Sequence, residues 1–382
     1  MTIDALRSLK RLGVMAVSAA ALSLAAGDLL TPAHAADVEP VMIRIVGDHS
    51  PTPHPAAIAE EFMKQRIQEE IPGSEVRIFT AGALYTIPEA VEAMGEGNLE
   101  MAWGQFGKTA QIDPYMSVVN GPMLLTTPGA MNELDNFETV KMLAERFKEQ
   151  HGIKMFGTAH LSMFMGVGAG KRLLQPADLK GMKIRSMGPA ENAALQAWGA
   201  NPTTMAFGDV PPALETGVID GLLTSLGGWN SVKDQASFFT LAGINGIVGD
   251  YYWVGASQIW WDSLNEDQQR IIEDIMVNEV LPFQKQVNWC NDKRVIDRFG
   301  TEDPSKPGIY LASADEQKAL AEALGDATSE WVKSNTPDDA NQWVDKFAEE
   351  ARAASEAHPI GSSELEKTDC AAIQPWFDRY VN

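Results

Sequence analysis

Cysteine is nearly absent from this chain of 382 residues, with only Cys290 and Cys370 present. That excludes the disulfide framework of a small secreted domain and any cysteine-rich zinc site. In an oxidising compartment two cysteines can pair, but these lie far apart in sequence, and spacing leaves the question open. Histidine is scarce too: His34, His49, His54, His151, His160 and His358 show no paired metal-ligand spacing such as H-E-x-x-H. Basic residues are short in number, 30 against 52 acidic, for a net charge of −22. So acidic a surface argues against nucleic acid or anionic lipid as a partner. It says nothing about the ligand, because a local positive site can sit inside a negative shell. A salty habitat, or solubility alone, favours the same balance.

The apolar run Leu12 to Ala26, about fifteen residues, is too short to span a bilayer comfortably. Arg7, Lys10 and Arg11 precede it, and Ala33-His34-Ala35 follows as a small-x-small cleavage site. Residues 1–35 therefore read as a signal peptide, with an exported mature protein starting near Ala36. Asp28 and Pro32 count against the alternative, a retained membrane anchor. Removing the leader's three basic and two acidic residues leaves 27 basic against 50 acidic, a net of −23. The remaining length, about 347 residues, is enough for two α/β lobes with sizeable cores.

Enzyme signatures fail one by one. Ser225 sits in Leu-Thr-Ser-Leu-Gly, which lacks the first glycine of a nucleophile elbow. Gly166-Val-Gly-Ala-Gly-Lys171 has the look of a phosphate-cradling loop, but Arg172 stands where Ser or Thr should bind magnesium. A strand-to-turn connection is the plainer reading. Acidic pairs such as Glu60-Glu61 and Glu349-Glu350 read as solvated helix faces. No catalytic residue, cofactor or metal is expected.

The order of elements is that of an α/β protein. Val41 to Val46 alternates as a strand, Pro55 opens a helix to about Glu70, and Glu75 to Phe79 is a second strand. A helix over Ile87 to Met94 and a strand over Leu99 to Trp103 continue a βαβα rhythm, which predicts a mainly parallel sheet. Asn132 to Gln150 reads as an amphipathic helix and Ile153 to Gly157 as a strand. A second β/α series runs from about Ser162 to Asp250, and the chain returns through Tyr251 to Val254. Leu264 to about Arg298 is strongly helical, capped at Asn265 and expected to kink at Pro282. Helices over Ser313 to Ser334, with a Ser313/Glu316 capping box, and Asp338 to Ala357 follow.

The stretch richest in information is Asp178-Leu-Lys-Gly-Met-Lys-Ile-Arg185, then Trp198-Gly-Ala-Asn-Pro202 and Ala213-Leu-Glu-Thr-Gly-Val-Ile-Asp-Gly221. It places Arg185 at the end of a short strand, Met182 to Ser186, before a helix over Ala190 to Trp198. A guanidinium there can fork onto a carboxylate through two parallel hydrogen bonds. By itself such an arginine is more readily a structural ion pair. The segment, however, resembles the signature of solute-binding subunits of TRAP (tripartite ATP-independent periplasmic) transporters, the DctP-like family. Gly47-Asp-His-Ser50, Ala81-Gly-Ala-Leu84, Met101-Ala-Trp103 and Leu264 resemble further parts of it in the same order.

That resemblance implies a type II-like periplasmic binding protein of two lobes with a hinge, a long C-terminal helix and extra C-terminal helices. The expected division is lobe I over 36–160, lobe II over 161–250, a return with a hinge-spanning helix over 251–300, and helices packing on the lobes over 301–382. It implies that Arg185 binds the solute carboxylate. His49, Trp103, Gln105, Phe106, Phe207, Thr224, Ser225, Trp229, Tyr252 and Trp253 fall where cleft walls should be, although most tryptophans of a domain are core; together the rings suggest a solute with an apolar or aromatic body. The expected partners are a small organic anion and the two membrane permease subunits, with the receptor itself a monomer. A sensor delivering ligand to a membrane signalling receptor would use the same cleft. Two departures bear on the ligand. Met163-Phe-Met-Gly-Val-Gly168 lacks the arginine of the family's G-F-R pattern, and Leu222-Leu-Thr-Ser225 lacks an asparagine common after D-G. Both disfavour sialic acid and dicarboxylates and favour a monocarboxylate, or another small anion such as a sulfonate.

Overall fold

A computed structural model of the protein describes residues 38–242 and 250–380. The leader expected over 1–35 lies outside the described residues. The first sheet holds β1 (Met42–Gly47), β2 (Glu75–Phe79), β3 (Met101–Gln105), β4 (Ile153–Ala159) and, from much later in the chain, β10 (Tyr252–Ser257), in the order β2-β1-β3-β10-β4. The second holds β5 (Met165–Ala169), β6 (Lys183–Ser186), β7 (Asn201–Thr204), β8 (Gly221–Ser225), β9 (Phe238–Leu241) and β11 (Gly308–Leu311), in the order β11-β9-β5-β8-β6-β7.

Each sheet is parallel except for one strand. In the first it is β10, antiparallel to β3 and β4; in the second it is β5, antiparallel to β8 and β9. Both are the first strands laid down after the chain crosses from the other sheet. A chain arriving at the carboxyl ends of parallel strands has to run back against them. The starts of β5 and β10 therefore lie at the edge where the two sheets face each other.

Local chemistry accounts for the helix boundaries. Helix α1 (Pro55–Glu70) has proline in its first turn, and His54 Nδ1 accepts the amide of Ala56 as a cap, 3.2 Å. Helix α2 (Ile87–Gly95) starts at a Thr86/Glu89 capping box. The helix expected over Asn132 to Gln150 is broken into α4 (Pro128–Asn132), a 3-10 turn at Leu134–Asn136 and α5 (Glu138–His151), with the four-residue α3 (Phe106–Thr109) earlier in the chain. The break releases Asp135 to accept the amide of Thr158 (2.6 Å) and the ammonium of Lys285 (3.0 Å).

The second lobe adds α6 (Pro176–Leu179), α7 (Pro189–Ala197), α8 (Val210–Glu215) and α9 (Leu226–Val232). After β10 come α10 (Gln258–Ser263), α11 (Glu266–Asp274) and α12 (Leu281–Phe299). Pro282 does not kink a continuous α-helix as expected. The six residues Ile275–Val280 ahead of it are π-helical, a looser winding that accommodates the missing N–H and the ring. The region after 301 is not wholly helical either, because β11 joins the edge of the second sheet. The expected Ser313 to Ser334 helix splits at Gly325 (φ 49°) into α13 (Ala314–Leu324) and α14 (Ala327–Asn335). Helix α15 (Asn341–Ala357) follows. The unexpected α16 (Cys370–Asp378) is tied to α12 by a Cys290–Cys370 disulfide.

Helix α12 carries the main fastening of the first crossing. Gln284, Asn288 and Asp292, four residues apart, form one buried polar stripe. Gln284 accepts the amide of His160 (3.0 Å) and donates to its carbonyl (2.7 Å), and Asn288 donates to that same carbonyl. Asp292 Oδ2 accepts Ser162 Oγ (2.7 Å) and the amides of Met163 (2.8 Å) and Phe164 (3.1 Å). Asp292→Ala will strand the two buried amides, each worth about 1–3 kcal/mol when left unpaired, while the Ser162 hydroxyl turns to the carbonyl of Phe164 (3.0 Å). Urea unfolding should show a midpoint drop equivalent to about 3 kcal/mol or more; a loss below about 1 kcal/mol would mean that the crossing does not depend on the stripe.

Candidate functional site

The carboxyl ends of β1, β3, β6 and β8, with the start of β10, converge on one cavity between the sheets, lined from the first by Asp48, His49, Gln105, Lys108 and Tyr252 and from the second by Arg185, Phe207, Thr224 and Ser225. The lobes are shut tightly. The cavity volume is about 20 Å³, room for about one water. An organic molecule of several atoms needs the lobes to part before it can enter.

Arg185 is the centre of the site and is only 1% exposed. Its Nε donates to the carbonyl of Met205 (3.0 Å) and its Nη1 to that of Leu223 (3.2 Å), while the guanidinium carbon stands 5.8 Å from the centre of the Phe207 ring. These neutral partners fix its direction without cancelling its charge. Burial pushes its pKa down to about 10, partly opposed by the nearby carboxylates of Asp48 and Glu191, so it stays cationic at neutral pH.

The facing lobe is built of matched pairs. Lys108 Nζ donates to Asp48 Oδ2. His49 Nε2 lies 3.1 Å from Glu60 Oε1, and its ring stacks on His54 at 5.3 Å. Burial opposes charge on His49, but Glu60, the Ser50 carbonyl and Asp48 together raise the pKa. Burial drives His54 well below its usual value, consistent with its role as a neutral cap. The Tyr252 phenol is held well above its usual range by burial and by Asp48. Three buried polar atoms of this wall have no hydrogen-bond partner among the described residues: Asp48 Oδ1, Gln105 Oε1 and Tyr252 Oη.

Four aromatic residues expected in the wall are instead core. Side chains alternate along β10, so Tyr252 on the cleft puts Trp253 on the opposite face, where it meets Phe147 at 4.7 Å and donates to Thr109 Oγ1 (2.8 Å). Trp103 lies deeper in β3, below the rim that Gln105 occupies. Phe106 turns into the first lobe's core. Trp229 packs on Phe239 at 5.3 Å and donates to the carbonyl of Ala236 (2.6 Å). Sequence reading did not single out Asp48 and Lys108. Asp48 stands between residues already noted, and its strand-end position was a usable signal. Lys108 gives none, since its partner is 60 positions away.

Beside the cavity the lobes touch backbone to backbone. A Cβ on Gly188, which precedes α7, would stand 2.7 Å from the carbonyl oxygen of Gly107. A larger groove of about 1430 Å³ surrounds Cys290 and Cys370, but it is open, and Lys293, Arg294 and Arg298 alternate there with Asp297, Glu366 and Asp369. The cleft differs in holding a fully buried guanidinium, Arg185, among its lining side chains. No group of three or more metal-ligating side chains, and no helix long and apolar enough to cross a membrane, occurs among the described residues.

Two facing α/β sheets, a chain that crosses repeatedly between them and a buried cation in the gap define a two-lobe solute-binding protein. The chain belongs to the DctP family, "Bacterial extracellular solute-binding protein, family 7", whose profile matches residues 46–335. It is 27% identical over 298 residues to the C4-dicarboxylate-binding periplasmic protein DctP of Vibrio cholerae, covering 76% of this chain and 80% of that one. It is 24% identical over 291 residues to the 2,3-diketo-L-gulonate-binding periplasmic protein YiaO of Escherichia coli, covering 74% and 85%. Among solved structures it is similar to a TRAP periplasmic solute-binding protein from Shewanella oneidensis with bound succinate, with a TM-score of 0.70 at 21% identity, over 82% of this chain and 99% of that one. The family comprises periplasmic solute-binding proteins of transporters, not enzymes.

Gly188→Val will wedge the lobes apart at the Gly107 contact. Small-angle scattering should report a larger radius of gyration than the parent with an unchanged circular-dichroism spectrum; an unchanged radius would show that the contact does not limit closure.

Proposed function

We propose that this protein captures a small organic monoanion that carries hydrogen-bond donors at the end away from its acid group, such as a hydroxylated carboxylate or sulfonate. The single observation that carries this is the buried charge of Arg185, whose direct partners are neutral carbonyls, facing a wall whose own charges are already paired. One negative charge neutralises the site. A second would face Asp48 with no cation to spare, since Lys108 is engaged, and this agrees with the absent G-F-R arginine. At the far end, Asp48 Oδ1 and Gln105 Oε1 are acceptors and the Tyr252 hydroxyl both donates and accepts, a wall that ligand hydroxyl groups satisfy in full, whereas a second carboxylate meets only the Tyr252 donor. The likeness to the 2,3-diketo-L-gulonate-binding relative supports a hydroxylated ligand; the C4-dicarboxylate-binding relative is the competing precedent.

The receptor works with membrane permease subunits, as TRAP solute-binding proteins do. Closing is a hinge movement: ligand that meets both walls binds the shut form better and shifts the population. A preference of about 5.5 kcal/mol takes the closed state from one to ninety-nine per cent.

A thermal-shift panel of mono- and dicarboxylates, hydroxy acids and sulfonates should select a hydroxylated monoanion; selection of an unsubstituted dicarboxylate would overturn this reading. With the selected ligand, Arg185→Ala should weaken binding by about 2–5 kcal/mol in calorimetry while the protein stays folded. Asp48→Asn should weaken the hydroxylated ligand but relax the discrimination against a dianion, measured as the ratio of the two affinities.

A further inference from the structure

Two carboxyl groups that play no part in the cavity wall meet where the lobes touch. Glu191 is the third residue of α7, in the second lobe, and is 1% exposed; Asp250 lies on the return crossing just before β10 and is fully buried. Both approach the same point. A Cβ on Gly107 of the first lobe would stand 2.8 Å from Asp250 Oδ2 and 3.2 Å from Glu191 Oε1. Their surroundings differ. Asp250 Oδ1 accepts the amides of Gly107 (3.1 Å) and Tyr251 (2.8 Å) and Asn120 Nδ2 (2.9 Å), the environment of an ionised carboxylate. Asp250 Oδ2 and both oxygens of Glu191 have no such partner among the described residues. Two buried anions placed so closely, with three of four oxygens unsatisfied, repel each other and remain desolvated. One proton removes both problems, turning one carboxylate into a donor for the other.

We propose that Glu191 and Asp250 form a one-proton latch between the lobes, in which Glu191 is held as a carboxylic acid that donates to Asp250 Oδ2 when the lobes shut. Asp250, already served by three N–H donors in good geometry, keeps the charge; Glu191, near the amides of Gly188 and of its own residue but without a well-formed hydrogen bond to either, takes the proton. The groups facing Glu191 are Asp250 from the crossing, which opposes its ionisation, and Arg185 from β6 and the N-terminus of α7, which favour it. Asp48, paired with Lys108 of α3, also bears on Asp250. On α14, which packs against α7 from outside, the buried residues are Thr328 and Val332, both uncharged. Burial first, then Asp250, raises Glu191 to about 8, while burial less the three donors leaves Asp250 at about 6.

The latch stands on this geometry alone, but its link to ligand rests on the anion proposed at Arg185. Such an anion cancels the cation that favours Glu191 ionised. Ligand and proton then assist each other, and by reciprocity each raises the other's affinity by the same factor.

Ligand-free protein tests the latch separately from the ligand assignment. A Glu191 pKa raised above its ordinary 4.5 means that the folded form holds the proton longer. The associated stability is complete below about pH 4.5 and is lost as pH rises to about 8. In wild-type protein the unfolding equilibrium constant should therefore climb by up to about tenfold per pH unit across that window beyond what Glu191→Gln shows, because the amide donates at every pH. Infrared difference spectra should show a protonated-carboxyl C=O band that disappears towards pH 8 and is missing in Glu191→Gln. Asp292, also raised by burial, contributes a second band that this variant keeps. Should Glu191→Gln fail to fold, Asp250→Asn serves, since removing the repelling charge should move the Glu191 band to lower pH. Identical pH slopes in wild type and Glu191→Gln, a band unmoved by either variant, or stability that is flat with pH but higher in sodium than in choline chloride would overturn the proton latch, the last in favour of a bound cation.

Discussion

A charged guanidinium held out of water is the constraint around which this protein is arranged. Arg185 has lost its hydration, and two carbonyl oxygens answer only two of its five N–H donors. Isolated charges are strongly disfavoured in such surroundings, so a shut cleft is most comfortable when an anion stands beside it. The strongly acidic exterior does not contradict this. At physiological ionic strength exposed charges are screened over about 8 Å, whereas a pair sealed between the lobes is hardly screened at all. The negative shell therefore bears on solubility and encounter, and the affinity has to be generated inside.

Sealing requires that two independently built sheets meet with good register, and the long helix supplies the reference. By binding His160 through Phe164, the Gln284–Asn288–Asp292 stripe fixes where the chain leaves the first sheet. The reversed strands β5 and β10 follow from the same crossings, and each delivers its first residues to the cleft edge. Tyr252 reaches the cavity for this reason, and Asp250 reaches the interface two residues earlier. The same detour through the second sheet thus connects the ligand wall with the contact between lobes.

Much of this was readable before any coordinates, and the boundary of what was readable is physical. The spans of α1 and β2, the cap at Asn265 and the capping box at Ser313 are local: proline, cap residues and alternation act within a few positions. The strand-end position of Arg185 was local too, although its solitude was not, because that depends on carbonyls from Met205 and Leu223. The tryptophans misled for a related reason. Proximity in sequence to a strand end does not say which face of the strand a ring takes, and at Trp253 a single step along β10 separates cleft from core. Lys108 and Glu191 carried no local sign whatever. A lysine after a glycine and a glutamate in a first helical turn both read as surface residues until the partner strands are in place.

Counting charges across the shut interface shows how selectivity can arise without many contacts. Lys108 answers Asp48, Glu60 answers His49, and three N–H donors answer Asp250. Under the readings proposed above, a proton answers Glu191 and the ligand answers Arg185. Nothing is left over, and so nothing can be added: a dianion strands one negative charge beside Asp48, and a neutral molecule leaves the guanidinium alone. Either mismatch is a buried unpaired charge, which costs several kcal/mol, more than an extra contact elsewhere typically returns. Discrimination of this kind is exerted at closure rather than at first encounter, because the penalties appear only once water has been expelled.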